Sequence, residues 1–265
     1  MKIIRHQTAS GPAYAALKPD DSAWEVSGSL FTGFAVTERS VQLGRLLAPI
    51  EPPNIFGIGL NYRQHANSIG RDLPTYPMLF IKSTNTLQNP REDIRLPGEF
   101  AGRAVDYEGE LAVVIGRACR NVSREEAMDY VLGYTCANDV TARDWQFQLG
   151  GGQFCQGKSF DTFCPLGPVL VTADEIPDPG SLRLSTRVNG VVRQNGSTGD
   201  MIFDVPSLIS FLSKGKTLLP GTVILTGTPH GVGHTWTPPV YLQPGDRVEI
   251  EIENIGTLVN NVAAG

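Results

Sequence analysis

No stretch of this 265-residue chain approaches the roughly 18 uninterrupted apolar residues that a membrane-spanning helix needs. The amino terminus, MKIIRHQTASGP, lacks the apolar run of a secretory signal. The four cysteines, Cys119, Cys136, Cys155 and Cys164, form no CxxC pair and stand at no metal-ligand spacing from histidine. They read as free thiols in a reducing compartment, and a cytoplasmic protein is expected. Basic charge is also scarce. The net charge is −5, and no basic stripe interleaves with aromatics, so neither nucleic acid nor membrane is an expected partner. There is no internal repeat and no low-complexity tail.

What the chain has is glycine (29) and proline (19) beside a hydrophobic fraction of 41%, a composition suited to many turns between short buried strands. MLFIK, ELAVVIG, GYTCAND, LGPVLVT, LRLSTRVNG, TVILTG and RVEIEIE are such strands, bounded by Gly, Pro, Asn or Asp. Turns are expected at Asn189-Gly190 and at Pro244–Asp246. Ser123 and Glu126 form a capping box ahead of a helix through REEAMDYVL, and Asp204 caps a second helix, VPSLISFLSKG. Residues 1–50 read as a small N-terminal lobe of short strands, with VQLGRLLAPI as a helix leading out. The prolines of Glu51–Asn54 end it, and residues 51–265 read as the catalytic domain. The fold class is mostly β (α+β).

The densest chemical signal is Asp106-Tyr107-Glu108-Gly109-Glu110, running into Leu-Ala-Val-Val-Ile. Alternate side chains of a strand share a face, so Glu108 and Glu110 project together with Asp106 beside them. Such carboxylates repel one another unless a positive charge sits between them. One reading is a solvated edge strand that blocks aggregation; the other is a metal site, favoured by the apolar continuation. Asp139 supplies a further acid at the end of GYTCAN. Hard oxygen donors without thiol or paired histidine suit Mg²⁺, Mn²⁺ or, in a crystal, Ca²⁺, rather than zinc.

In order, YEGELAVVIG, YTCANDVTARDWQ, GKSFDTFCPLGPVLVT, VNGVVRQNG and LLPGTVILTGTPHGVG resemble the fumarylacetoacetate hydrolase superfamily over about residues 52 to 262. The likeness is to its short branch, which holds acylpyruvate hydrolases, oxaloacetate decarboxylases and tautomerases, and dienoate isomerases. It implies a distorted β-roll, a homodimer, and Mg²⁺ or Mn²⁺ held by Glu108, Glu110 and Asp139. It also places Arg143 and Lys158 in the pocket, where a bidentate arginine suits a substrate carboxylate and a lysine suits a developing enolate. Gln146, Tyr62 and Thr228, the last in TGTPHGVG, are candidate substrate contacts, while His230 and His234 are expected at the rim.

The segment GLNYRQHANSIGRDLPTYP resembles the family's mobile lid, NY-x-x-H-x-x-E, whose histidine and glutamate activate water. His65 matches the histidine and is the candidate base, but Ser68 stands where glutamate is expected. Serine offers a hydrogen bond without charge, and Asp72 is a conceivable substitute. The family's usual chemistry implies C–C hydrolysis of an acylpyruvate-type 2-oxo or 2,4-dioxo acid as the first expectation. The loss of glutamate speaks for a tautomerase or isomerase as the alternative, with oxaloacetate decarboxylation beside it. A non-catalytic metabolite-binding protein is the remaining class, disfavoured because a bare scaffold needs none of the charged residues.

Overall fold

The computed structural model describes residues 1–265 and is mostly β, two sheets enclosing an apolar interior. The larger sheet has 12 strands. From one edge it runs Gly33–Ser40, Ala23–Ser29, Gly11–Leu17, Lys2–Thr8, Cys164–Thr172 and Val131–Asn138. It continues through Gly109–Ile115, Val223–Leu225 and Ile55–Gly59 to Met78–Lys82, ten strands in line, while Leu46–Leu47 and Leu87–Gln88 pair off this path with Lys2–Thr8 and Cys164–Thr172. The N-terminal strands thus extend the central sheet, Lys2 and Ile3 pairing with Val171 and Leu170. A second sheet of five strands is built on Arg183–Val188, Arg247–Ile252 and Gly256–Ala264. No helix is long and apolar enough to cross a membrane.

Strand alternation decides how the interior divides. Along Gly109–Ile115 the odd residues Leu111, Val113 and Ile115 enter a core cluster of 39 buried residues that includes Val248, Ile250 and Leu258 of the second sheet. The even residues Ala112 and Val114 join a second cluster of 13 with Ile3, Leu166 and Leu170. A strand buried on both faces reads as an unbroken apolar run, which is why ELAVVI carries no polar alternation. Glu110 stands at its start, inside the protein.

The expected strands are present. The helix Val205–Ser213 is capped as expected, Asp204 Oδ1 accepting from Ser207 N at 3.1 Å. Two expected helices differ. The Ser123–Glu126 capping box forms, with Ser123 Oγ donating to Glu126 at 2.9 Å, but it leads only into a 3₁₀ turn, Ala127–Tyr130. Tyr130 O accepts from Gly116 N and Val131 pairs with Ile115, so the sheet takes the chain before a helix can propagate. VQLGRLLAPI is not helical either: Leu46–Leu47 pair with His6 and Arg5, and Gly44 N donates to His6 Nδ1. The four cysteines are free.

Candidate metal centre

The strand pairing brings the acids together. Gly109 lies opposite Asn138 and Glu110 opposite Ala137, so one step beyond the ladder Glu108 faces Asp139, whose N–H donates to Glu108 O at 2.8 Å. The carboxylate oxygens of Glu108, Glu110 and Asp139 lie within 4.8 Å of one another, all three residues buried. Asp106 does not join them. It belongs to the short pair Val105–Asp106 with Thr141–Ala142, and its carboxylate accepts from Gly233 N, His234 N and Arg143. The chain departs from strand geometry at Tyr107–Glu108, which breaks the alternation that would align 106 with 108 and 110.

Cations occupy the remaining sides. Lys158 Nζ donates to Glu108 Oε2 at 2.7 Å and Asp139 Oδ2 at 2.5 Å, and sits 4.7 Å from the Phe80 ring centre. Arg143 spans Glu108 (2.7 Å) and Asp106 (2.8 Å) and donates to Gln146 Oε1 at 2.7 Å. Lys82 reaches Asp139 Oδ1 at 2.7 Å with both side chains fully buried. Sequence reasoning missed Lys82, although a signal was present: it falls on the same strand face as buried Phe80 in Met78–Lys82. A lysine at an inward position needs a partner. Gln194 was missed too; it accepts from Gly109 N at 2.9 Å and donates to Thr228 Oγ1 at 2.7 Å.

Four buried carboxylates therefore face three buried cations, and Glu110 is the one without an ion partner; only Gly227 N–H donates to it, at 2.7 Å. Gly227 has φ +96°, and a Cβ there would lie 2.7 Å from Asn61 Cβ, so glycine lets the backbone reach the carboxylate. Burial pushes Glu110 well above the usual carboxylate range, and the neighbouring Asp139 and Glu108 add to it. Burial also pushes Glu108 up, but Lys158 and Arg143 hold it down to about 2. An all-oxygen donor set with one uncompensated carboxylate fits a hard divalent ion such as Mg²⁺ or Mn²⁺.

Above the acids lies a cavity of about 350 Å³, within the range of small-ligand sites. Glu108, Glu110, Arg143 and Lys158 lie in its buried floor with Gln146 and Thr228. Thr228 Oγ1 is already engaged, donating to Gly109 O at 2.9 Å. Tyr62 is not in the lining. It is fully buried, and its hydroxyl has no hydrogen-bond partner. His234 is exposed, bonded to Tyr241 Oη at 2.8 Å and packed on Phe147.

His65 lines the cavity from the short helix Arg63–Ser68. Asn61 anchors that segment by donating to Phe203 O (2.9 Å) and Thr226 O (2.7 Å). Burial lowers the His65 pKa to about 4, Glu108 opposing and Arg143 assisting. Its Nδ1 is buried with no partner, because Ser68 Oγ donates instead to the His65 backbone carbonyl at 2.8 Å. Asp72 is exposed and does not replace the missing glutamate.

Comparison with known proteins agrees with this architecture. The family model described as fumarylacetoacetate (FAA) hydrolase C-terminal matches residues 54–263, and one described as Rv2993c-like, N-terminal, matches residues 1–49. The chain belongs to the fumarylacetoacetate hydrolase family. It is 50% identical over 222 residues to oxaloacetate tautomerase YisK of Bacillus subtilis, covering 82% of this chain and 73% of that one. The crystal structure of 2-hydroxyhepta-2,4-diene-1,7-dioate isomerase from Mycobacterium marinum superposes with a TM-score of 0.85 at 41% identity, covering 100% and 98% of the two chains. Fumarylacetoacetate hydrolase from Exiguobacterium antarcticum superposes with a TM-score of 0.90 at 38% identity, covering both chains fully. The relatives favour the tautomerase and isomerase alternative over the C–C hydrolysis expected first.

Proposed function

We propose that this chain is a divalent-metal-dependent tautomerase that interconverts the enol and keto forms of a small 2-oxo acid, oxaloacetate foremost. The observation that carries the reading is the His65–Ser68 arrangement. The serine hydroxyl is spent on a backbone carbonyl, and the imidazole Nδ1 has no carboxylate hydrogen-bonded to it, Glu108 acting only through space against the burial that lowers its pKa. Hydrolysis must orient and activate a water for attack on a carbonyl, the task a paired acid and base perform together, whereas tautomerisation relocates one proton and consumes no water. The names of the relatives support the same choice, since one acts on oxaloacetate and another isomerises a dioate.

Glu108, Glu110 and Asp139 would hold Mg²⁺ or Mn²⁺, whose charge polarises a 2-oxo carboxylate and favours its enolate. This chain's own groups do the rest. Arg143 and Lys158, fixed on the acids, offset most of the carboxylate charge, so that the floor with an ion bound would favour an anionic substrate, and they resist reorganisation as charge moves from carbon to oxygen. His65, neutral at pH 7, carries the proton between the two sites, taking it from C3 of the keto acid and delivering it to the C2 enolate oxygen, or taking it from the enol hydroxyl and delivering it to C3 in the reverse direction. Phe80 and Ile58 keep the buried wall apolar.

The test is to add enol-oxaloacetate to purified protein with Mg²⁺ or Mn²⁺, following loss of enol absorbance while pyruvate is measured separately. Fast enol loss without pyruvate, abolished by a chelator, is expected. Pyruvate formed at the same rate would make the protein a decarboxylase. Cleavage of an acylpyruvate without enol conversion would return hydrolysis to first place. We further propose that the protein is a homodimer, to be read by sedimentation.

A further inference from the structure

The cavity changes character between floor and rim. Its floor is buried and densely paired, while four of its lining residues, Ile69, Arg71, Met78 and Phe147, are exposed. Three of the lining residues are permanent cations: Arg71, Arg143 and Lys158. Arg143 and Lys158 are bonded to carboxylates of the protein. Arg71 is not; the only hydrogen bond it donates is from its backbone N–H. An unpaired guanidinium that shares the cavity lining with exposed Ile69, Met78 and Phe147 is placed to recognise an anion.

Its position is built rather than incidental. The lid helix ends in a Schellman arrangement: Gly70 N donates to Asn67 O at 3.1 Å and Arg71 N to Ala66 O at 3.0 Å, with Gly70 at φ +64°. These bonds fix the residue after the glycine relative to the same short turn that presents His65 to the cavity. The base and the free cation are thus carried on one element.

Charge decides what the cation is for. With the three ligand carboxylates and Asp106 set against Lys82, Lys158, Arg143 and one divalent ion, the floor carries a net charge of about +1, which one substrate carboxylate satisfies. A second carboxylate on the same substrate needs another cation, and Arg71 is the lining residue free to supply it. We propose that Arg71 binds the distal carboxylate of a 2-oxo dicarboxylate, selecting dianionic substrates over 2-oxo acids with neutral tails. The proposal rests on reading the cavity as a 2-oxo acid site.

The experiment compares binding of 2-oxoglutarate and 2-oxovalerate, equal in chain length with carboxylate replaced by methyl, to the Mn²⁺-loaded protein by calorimetry. The wild type should favour 2-oxoglutarate by about tenfold or more, as a charge-assisted pair implies. Arg71→Ala should collapse that ratio towards unity through loss of 2-oxoglutarate affinity, and Arg71→Lys should keep part of it. The KM for oxaloacetate should rise in step in Arg71→Ala. A preference that survives Arg71→Ala, with enol conversion intact, overturns the role of Arg71 and leaves the tautomerase reading standing. A wild type that binds neither acid and converts no enol overturns both.

Discussion

Replacing Ser68 with glutamate restores the acid that the lid lacks and asks what its absence does. Residues three apart on a helix are neighbours, with Cβ atoms about 5–6 Å from one another. Ser68 is exposed, while His65 Nδ1 is buried without a partner, so a carboxylate at 68 has an open donor to accept from. At that separation, with an effective dielectric between bulk water and a protein surface, the pair gains about 1–3 kcal/mol. This is about one to two pKa units, raising His65 from about 4 to roughly 5–6. The stronger base should speed acylpyruvate cleavage by about ten- to a hundredfold, inside the span general-base assistance usually covers. Enol conversion of oxaloacetate should stay level or fall, because the new charge stands beside an anionic enolate. The assay runs both reactions on both proteins and follows the His65 ring protons by NMR across pH. If the His65 titration moves up while cleavage stays absent, the missing glutamate is not what bars hydrolysis. If the unmodified protein already cleaves acylpyruvates and converts no enol, the tautomerase reading fails outright.

Removing the metal should lower thermal stability, since three crowded carboxylates lose their counter-charge; at a hundred times Kd the ion is worth about 2.7 kcal/mol, or very roughly 5–10 °C for a chain of this size. A melting temperature indifferent to chelator and to added Mg²⁺ or Mn²⁺ would argue that no ion binds there. Lys82→Met strips Asp139 of one of its two cations and should cost about 2–4 kcal/mol in urea unfolding, with weakened turnover; a loss below about 1 kcal/mol would make the pair ornamental. His65 titrates at 6.5 when unfolded and about 4 when folded, so the unfolded chain binds the extra proton between those values. Its contribution is therefore complete above pH 6.5 and is lost as pH falls towards 4, by at most about 3 kcal/mol. His65→Gln should flatten stability over that window, and an unchanged slope would locate the acid sensitivity elsewhere.

Much of the architecture was legible because strand signals are short-range. ELAVVI and GYTCAN carry apolar, β-branched runs that pair in register and leave Glu108 opposite Asp139 at their ends. The failures have a common cause, which is that a distant partner overrode a local preference. The Ser123–Glu126 box promises a helix, yet Val131 is claimed by Ile115 after a single turn. Strict alternation puts Asp106 with the two glutamates, but a break at Tyr107 turns it to Arg143, Gly233 and His234. Tyr62 lies beside the lid helix and is nonetheless sealed in the core. Lys82 was readable by parity alone, had the inward position of Phe80 been carried two residues further.

These particulars separate what makes the site from what chooses its reaction. The floor is determined several times over: each of Glu108 and Asp139 has two buried cations, and Glu110 has a backbone donor placed by a glycine no other residue could replace without displacing Asn61. Changing any of these groups leaves a charge stranded in a dry interior, so the floor tolerates little variation and says little about which 2-oxo acid reaction follows. The lid is cheap to change by comparison. Ser68 and Arg71 are exposed and bear on no buried charge; the first ends a helix of a turn and a half and the second follows its glycine cap. In the proposed reading Ser68 sets how strong the base is, and Arg71 which charge the substrate tail carries. Hydrolysis, isomerisation and tautomerisation can therefore share one floor, and the residues that discriminate among them lie where substitution costs stability least.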